Sequence, residues 1–228
     1  MHYWAVIFDL FGTLADFSFV ELDCVVTEMA TAVGMPRATY AQLWTETYRR
    51  HEEGAFATTE ASIEYTCRIG GVRAATAQIV AAAAGWTDFQ RRMLVPRADA
   101  VPTLAHLKAA SCRIGLFANS PPEVAWLWPA TPLAPLVDVP LFSASVGIRK
   151  PDPRIYRLAC ERFQAEPGEC LFVGDGGSGE LTGAVLVGMT AIQFRSPDEQ
   201  PEAAKRFSRE VWQGPVLSCL ADLLTVAD

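Results

Sequence analysis

Lysine is nearly missing from this 228-residue chain: only Lys108, Lys150 and Lys205 occur, among nineteen basic residues. Acidic residues outnumber basic ones, 26 to 19, giving a net charge of −7, and no basic block occurs. Such a chain does not neutralise a phosphate backbone, so nucleic acid is not an expected partner. Long hydrophobic runs are missing too. The richest, Ala74 to Gly85, is alanine-heavy and falls short of the roughly 20 residues that cross a bilayer, so no membrane span is expected. The N-terminal MHYWAVIFD shows no basic segment and no cleavable apolar stretch, so no secretion signal is expected. The six cysteines, Cys24, Cys67, Cys112, Cys160, Cys170 and Cys219, fall into no CxxC or metal-type spacing. They read as reduced, core-filling thiols of a cytoplasmic protein. The three histidines show no spacing for a zinc site or a Ser-His-Asp triad.

What is present is an apolar half, enough to bury a full core. Trp4 to Phe8 (WAVIF) has the composition of a buried strand. Asp9 ends it, and Gly12 and Thr13 turn the chain. From Phe19 to about Arg97 the pattern is helical, with segments at 19–33, 37–53, 59–69, 74–84 and 86–94. After Pro96 strands and helices alternate. Strands are expected at 113–118, 141–145, 170–173 and 190–194. Helices are expected at 101–110, 123–128, 152–164, 180–188 and 216–226. The polar stretch 196–213 reads as surface. This alternation predicts an α/β fold, a Rossmann-like parallel sheet covered on both faces, with an all-helical insert.

Three later strand ends carry polar residues like the first. RIGLFA ends at Asn119 and Ser120. SVGIRKPDPRIY places Lys150 before a proline-opened helix. CLFVGDGGSGELTGA places Asp175 at a strand end and Glu180 at a helix start. In a parallel sheet these ends share one edge, where open α/β sheets bind their ligands.

FDxxGTL, KPDPxIY and VGDxxxxE with GA behind it, in this order, resemble the haloacid dehalogenase superfamily of phosphatases and related hydrolases. The resemblance implies a core of residues 1–15 and 98–228 and a helical cap of residues 16–97. It makes Asp9 the nucleophile and Lys150 the counter-charge on the phosphoryl oxygens. It places Mg²⁺ on Asp9, the backbone carbonyl of Phe11, Asp175 and Glu180. Gly12, Thr13, Asn119 and Ser120 would cradle the phosphate, and the expected substrate is a small phosphomonoester. The expected assembly is a monomer or a homodimer.

The chain also departs from that pattern. Phe11 stands where family phosphatases carry a second Asp, the general acid and base, worth about 10²–10⁴ in rate. Ala118 takes the place of a phosphate-binding hydroxyl, which Ser120 would have to replace. Glu180 stands for the usual Asp, and its extra methylene would move it back from the metal. An aromatic two residues after the nucleophile also resembles the 2-haloacid dehalogenases, which use no metal and lack the Gly174-Asp175 pair. A third possibility is a catalytically weakened member that binds a phosphorylated ligand. Phosphonoacetaldehyde hydrolases need a cap lysine, and residues 16–97 contain none. In the cap segment LWTETYRRHEEGAF, Trp44 and Tyr48 are expected to pack inside and Arg49 and Arg50 to be solvated. Trp126 and Trp128 are expected in the core. The loop Gly176-Gly177-Ser178-Gly179 reads equally as a ligand-facing loop or a plain tight turn.

Overall fold

Ala5–Asp9 (β1) is buried at every residue, as a strand at the centre of a two-faced sheet must be. The fold comes from a computed structural model that describes residues 3–197 and 210–226. β1 pairs in parallel with Arg113–Ala118 (β2) on one side and Cys170–Gly174 (β4) on the other. Val139–Phe142 (β3), Thr190–Phe194 (β5) and Val216–Leu217 (β6) complete the sheet in the order β3-β2-β1-β4-β5-β6, all parallel. The order reverses at β1, so the crevice of this sheet opens where Asp9 ends its strand. Register places Asp9 beside Phe117 and Phe8 beside Val173.

Alternation sorts the strands onto two cores. Val6, Phe8, Ile114, Leu116, Leu171 and Val173 point to one face. Ala5, Ile7, Phe117, Cys170 and Phe172 point to the other. Ala100–Ala109 (α5) lies over the first face. Pro153–Phe163 (α8) and Glu180–Leu186 (α9) lie over the second, through Tyr156, Phe163 and Leu181.

Between β1 and α5 the chain forms Phe19–Val33 (α1), Arg37–Glu52 (α2), Thr59–Ile69 (α3) and Thr76–Met93 (α4). Ser18 caps α1 by accepting from Glu21 N at 3.2 Å, and Thr58 caps α3 by accepting from Ala61 N at 3.2 Å. These helices share their own core around Met29, Tyr40, Trp44, Trp86 and Phe89.

Four expectations need correction. Residues 74–94 form one helix, not two. Gly85 costs such a helix about 1 kcal/mol, but Trp86 and Phe89 beside it are fully packed and hold it. The strand expected at 141–145 runs Val139–Phe142, and Ser143–Val146 (α7) turns directly into one helical turn. The helix expected at 216–226 is instead β6, a tight turn at Leu220–Asp222 and a single turn Leu223–Val226 (α10). There β5 offers an open edge to Val216 and Leu217, and Asp99 accepts from Leu220 N at 2.9 Å to start the turn. Trp126, expected in the core, is 62% exposed, whereas Trp128 is buried. Most of the polar stretch 196–213 lies outside the described residues.

Candidate active site

Four elements converge on one buried charge cluster. Asp9 ends β1, Asp175 follows β4, Glu180 opens α9, and Lys150 precedes α8. All four side chains are buried. Lys150 Nζ donates to Asp9 Oδ1, to Glu180 Oε2 at 2.5 Å and to the Phe117 carbonyl at 3.1 Å, which commits its three protons. Thr13 Oγ1 donates to the other Asp9 oxygen at 3.3 Å.

The neighbouring residues hold this arrangement. Asn119 brackets the Lys150 backbone: its Oδ1 accepts from Lys150 N at 2.8 Å, and its Nδ2 donates to Lys150 O at 3.1 Å. Tyr156 donates to the Glu180 carbonyl at 2.8 Å, and a Cβ on Gly183 would stand 2.7 Å from that hydroxyl. Gly12 has φ +91°, and a Cβ there would lie 2.6 Å from Asp175 Oδ2. Only glycine lets this turn pass so close to the carboxylate. The loop 176–179 faces the site: Gly176 N donates to Glu180 Oε1 at 3.0 Å, Gly177 N to Asp175 Oδ1 at 2.8 Å, and Gly177 and Ser178 line the cavity.

Other expected residues sit differently. The Gly12 amide donates to Ala15 O at 2.7 Å, and the Thr13 amide to Leu10 O at 3.3 Å. Ser120 is fully buried and forms no part of the cavity wall; its amide donates to Ser143 Oγ at 2.9 Å. Ala118 packs in the core. The Phe11 ring leans edge-on against Phe17, with centroids 5.9 Å apart.

Burial sets the charge states. It pushes the Asp9 carboxyl above its ordinary range, against the pull of Lys150, and Asp175 adds to the push. Burial and then Asp9 push Glu180 up strongly, again against Lys150. For Lys150 burial alone would lower the pKa, but Asp9 and Glu180 outweigh it and keep the ammonium charged. Three acidic side chains thus surround one ammonium. Oxygens of Asp9, Asp175 and Glu180 lie within 4.8 Å of one another. Both Glu180 oxygens are engaged, one by Lys150 and one by Gly176 N. A hard dication that keeps its waters fits best on Asp9 and Asp175, with Glu180 behind them.

Above the cluster lies a cavity of about 560 Å³. Phe11, Phe17, Trp44, Tyr48 and Trp86 form much of its wall. Trp44 and Trp86 are buried, and Arg49 is mostly exposed. Arg50 is solvated and donates to Tyr65 at 2.6 Å. Sequence reasoning missed the polar pair in this wall. Arg149 Nη2 donates to Glu52 Oε2 at 3.1 Å, joining the end of α2 to the loop that carries Lys150. The one signal in the sequence is that Arg149 precedes Lys150.

A family model described as haloacid dehalogenase-like hydrolase matches residues 3–188. The chain belongs to this family. Haloacid dehalogenase-like hydrolases of both chemistries are similar to it. It is 27% identical to (S)-2-haloacid dehalogenase 1 of Pseudomonas sp. strain CBS-3, over 89% of this chain and 90% of that enzyme. It is 30% identical to the phosphoserine phosphatase of Thermus thermophilus, over 60% of this chain and 57% of that enzyme. For several curated relatives, that phosphatase among them, the chain spans about half the length or less. The L-2-haloacid dehalogenase of Xanthobacter autotrophicus has the same fold, with a TM-score of 0.66 at 22% identity, covering 99% of this chain and 98% of that one. Among the described residues no helix is long and apolar enough to cross a membrane.

Proposed function

We propose that this hydrolase cleaves a phosphomonoester with Asp9 as nucleophile and Mg²⁺ as its ion. The observation that carries the reading is the gathering of Asp9, Asp175 and Glu180 oxygens within 4.8 Å of one another at the cavity floor, beside Lys150. Carboxylates so gathered repel a phosphate unless a dication balances them. Bound on Asp9 and Asp175, with the Phe11 carbonyl, such an ion would supply charge neutralisation on the phosphoryl oxygens. Asp9 attacks phosphorus, the bond to the leaving oxygen breaks, and water later releases phosphate from the aspartyl ester. Lys150, held by Asn119 and Glu180, opposes the push of burial on Asp9 and orients it. Residues 16–97 serve as the cap over residues 1–15 and 98–228, and their aromatic wall excludes water. The six cysteines are all free, which suits a reducing, cytoplasmic setting.

Hydrolysis of p-nitrophenyl phosphate by wild type and Asp9→Asn, each with Mg²⁺ and with EDTA, tests this reading. The expected result is turnover that needs both the metal and Asp9. A second reading, halide displacement from a 2-haloacid, is favoured by Phe11, because a departing halide needs no proton. Halide release without added metal, and no phosphate release, would establish it instead.

A further inference from the structure

Phosphate ester cleavage moves two protons. The leaving alkoxide gains one, and the water that opens the aspartyl ester loses one. Phe11 does neither. Among the described residues, the carboxylates lining the cavity are Asp9, Asp23, Glu52, Asp175 and Glu180. Asp9 is the nucleophile, and Asp175 and Glu180 are tied to the ion and to Lys150. Asp23 is half exposed and paired with Arg37. Lys150 has its protons committed. Tyr48 also lines the cavity, but burial, with Glu52 and Glu123 adding to it, pushes its hydroxyl far up, so it gives up no proton near neutrality. Glu52 remains.

We propose that Glu52, from α2, is the acid and base that Phe11 cannot be. The proposal rests on the phosphatase reading and assigns the proton-transfer step within it. Glu52 lines the same cavity as Asp9, is nearly buried, and is held by Arg149, which is covalently next to Lys150. Burial pushes its carboxyl up to about 7 against the pull of Arg149 and Lys150. The charged and titratable groups around it are Arg149, Lys150, Glu53 and Tyr48. A group poised there donates and accepts at neutral pH. In the first step Asp9 forms its bond to phosphorus, the electron pair of the breaking bond goes to the leaving oxygen, and that oxygen takes the Glu52 proton. In the second, water attacks phosphorus, its proton returns to Glu52, and Asp9 leaves with its electron pair. Each turnover restores both side chains.

The test compares kcat/KM for two esters in Mg²⁺: p-nitrophenyl phosphate, whose leaving group needs no proton, and 2-phenylethyl phosphate, whose leaving group does. In wild type the ratio of alkyl to aryl kcat/KM falls above about pH 7 as Glu52 ionises. Substrate and metal titrations are common to both esters and cancel in that ratio. Glu52→Gln keeps the size and the Arg149 contact. It is expected to lose about 10²-fold or more on the alkyl ester and only a few-fold on the aryl ester. It should also release a burst of one nitrophenolate per site, because the aspartyl ester then opens slowly. Equal losses on both esters, no loss on either, or a wild-type ratio flat with pH overturns the role of Glu52. The wild-type profile stands even where the variant fails to fold. If wild type hydrolyses neither ester, or Asp9→Asn retains activity, the phosphatase reading itself fails, and that outcome is separate from the ones above.

Discussion

The floor and the roof of the cavity are built from opposite materials. The floor is the edge of a parallel sheet, where strand ends and loops place Asp9, Lys150, Asp175 and Glu180 within reach of one another. The roof is mostly helical and presents Trp44, Tyr48 and Trp86, with Phe17 from the segment before α1. The floor has little freedom, because each of its polar groups is fixed by another: Lys150 by Asn119, Glu180 by Gly176 N, and Asp175 by Gly177 N. The roof is held by ring packing, such as Trp44 on Trp86 at 5.1 Å and Trp86 on Phe89 at 5.3 Å. Fixed dipoles suit charge stabilisation, which needs no reorganisation during reaction. Apolar walls suit exclusion of water and recognition of shape. The difference teaches that groups suited to charge stabilisation and groups suited to shape recognition come from different layers of the fold. Glu52 and Arg149 are the charged pair that joins the two.

The sharpest way to break that division is at the floor. Asp9→Asn is expected to remove turnover, a loss of about 10⁴-fold or more in phosphate release, whatever the ester. A variant that kept turnover of either ester would mean that Asp9 is not the nucleophile. Next comes Lys150→Met. It leaves Asp9 and Glu180 buried without their cation, and unfolding in urea should show a loss of about 3–5 kcal/mol.

The joint between the two parts offers a third test. His51 Nε2 of α2 lies 3.8 Å from Glu123 Oε2 in Pro122–Leu127 (α6), and both are buried. That is too long for a hydrogen bond. Burial pushes His51 down to about 4 and Glu123 up to about 7. His51 is therefore neutral at pH 7, and the contact is no salt bridge. The two groups act on stability with opposite signs. The His51 contribution is present above its unfolded value of 6.5 and is lost as pH falls toward 4. The Glu123 contribution is present below its unfolded value of 4.5 and is lost as pH rises toward 7. Relative to His51→Gln, wild type should lose up to about 3 kcal/mol from pH 6.5 to 4. Relative to Glu123→Gln, it should gain a similar amount from pH 7 to 4.5. Urea midpoints at each pH check both; curves of the same sign would show that the two groups share a proton.

The smallest effect belongs to the roof. If its rings bind the organic part of the substrate, 2-phenylethyl phosphate should exceed ethyl phosphate in kcat/KM by about 10- to 100-fold, the worth of burying a phenyl group. Both leave as weakly acidic alcohols, so the ratio reports contact with the wall. Similar values for the two esters would leave the roof with water exclusion alone.

Much of the floor was legible in the sequence because it is written in local signals. An apolar run ending in Asp9, a glycine turn, a proline-opened helix after Lys150 and a strand ending at Gly174-Asp175 each report on a few adjacent residues. Parallel pairing then brings those ends to one edge without further information. The four helices between β1 and α5 were legible for the same reason, save for the break wrongly expected at Gly85. There local propensity disfavoured a helix and the packing of Trp86 and Phe89 outweighed it.

The sequence by itself determined the α/β architecture, the order of the motifs and the identity of the charged residues on the floor. Only the tertiary structure decided how those residues are used. It gave Asn119 to the Lys150 backbone, buried Ser120 away from the cavity, and turned 216–217 into a sixth strand on the open edge of β5. It also brought Glu52 to Arg149 across 97 residues of chain. Periodicity and turn chemistry are properties of neighbours along the chain. Burial, and with it a carboxyl raised to about 7, is a property of neighbours in space.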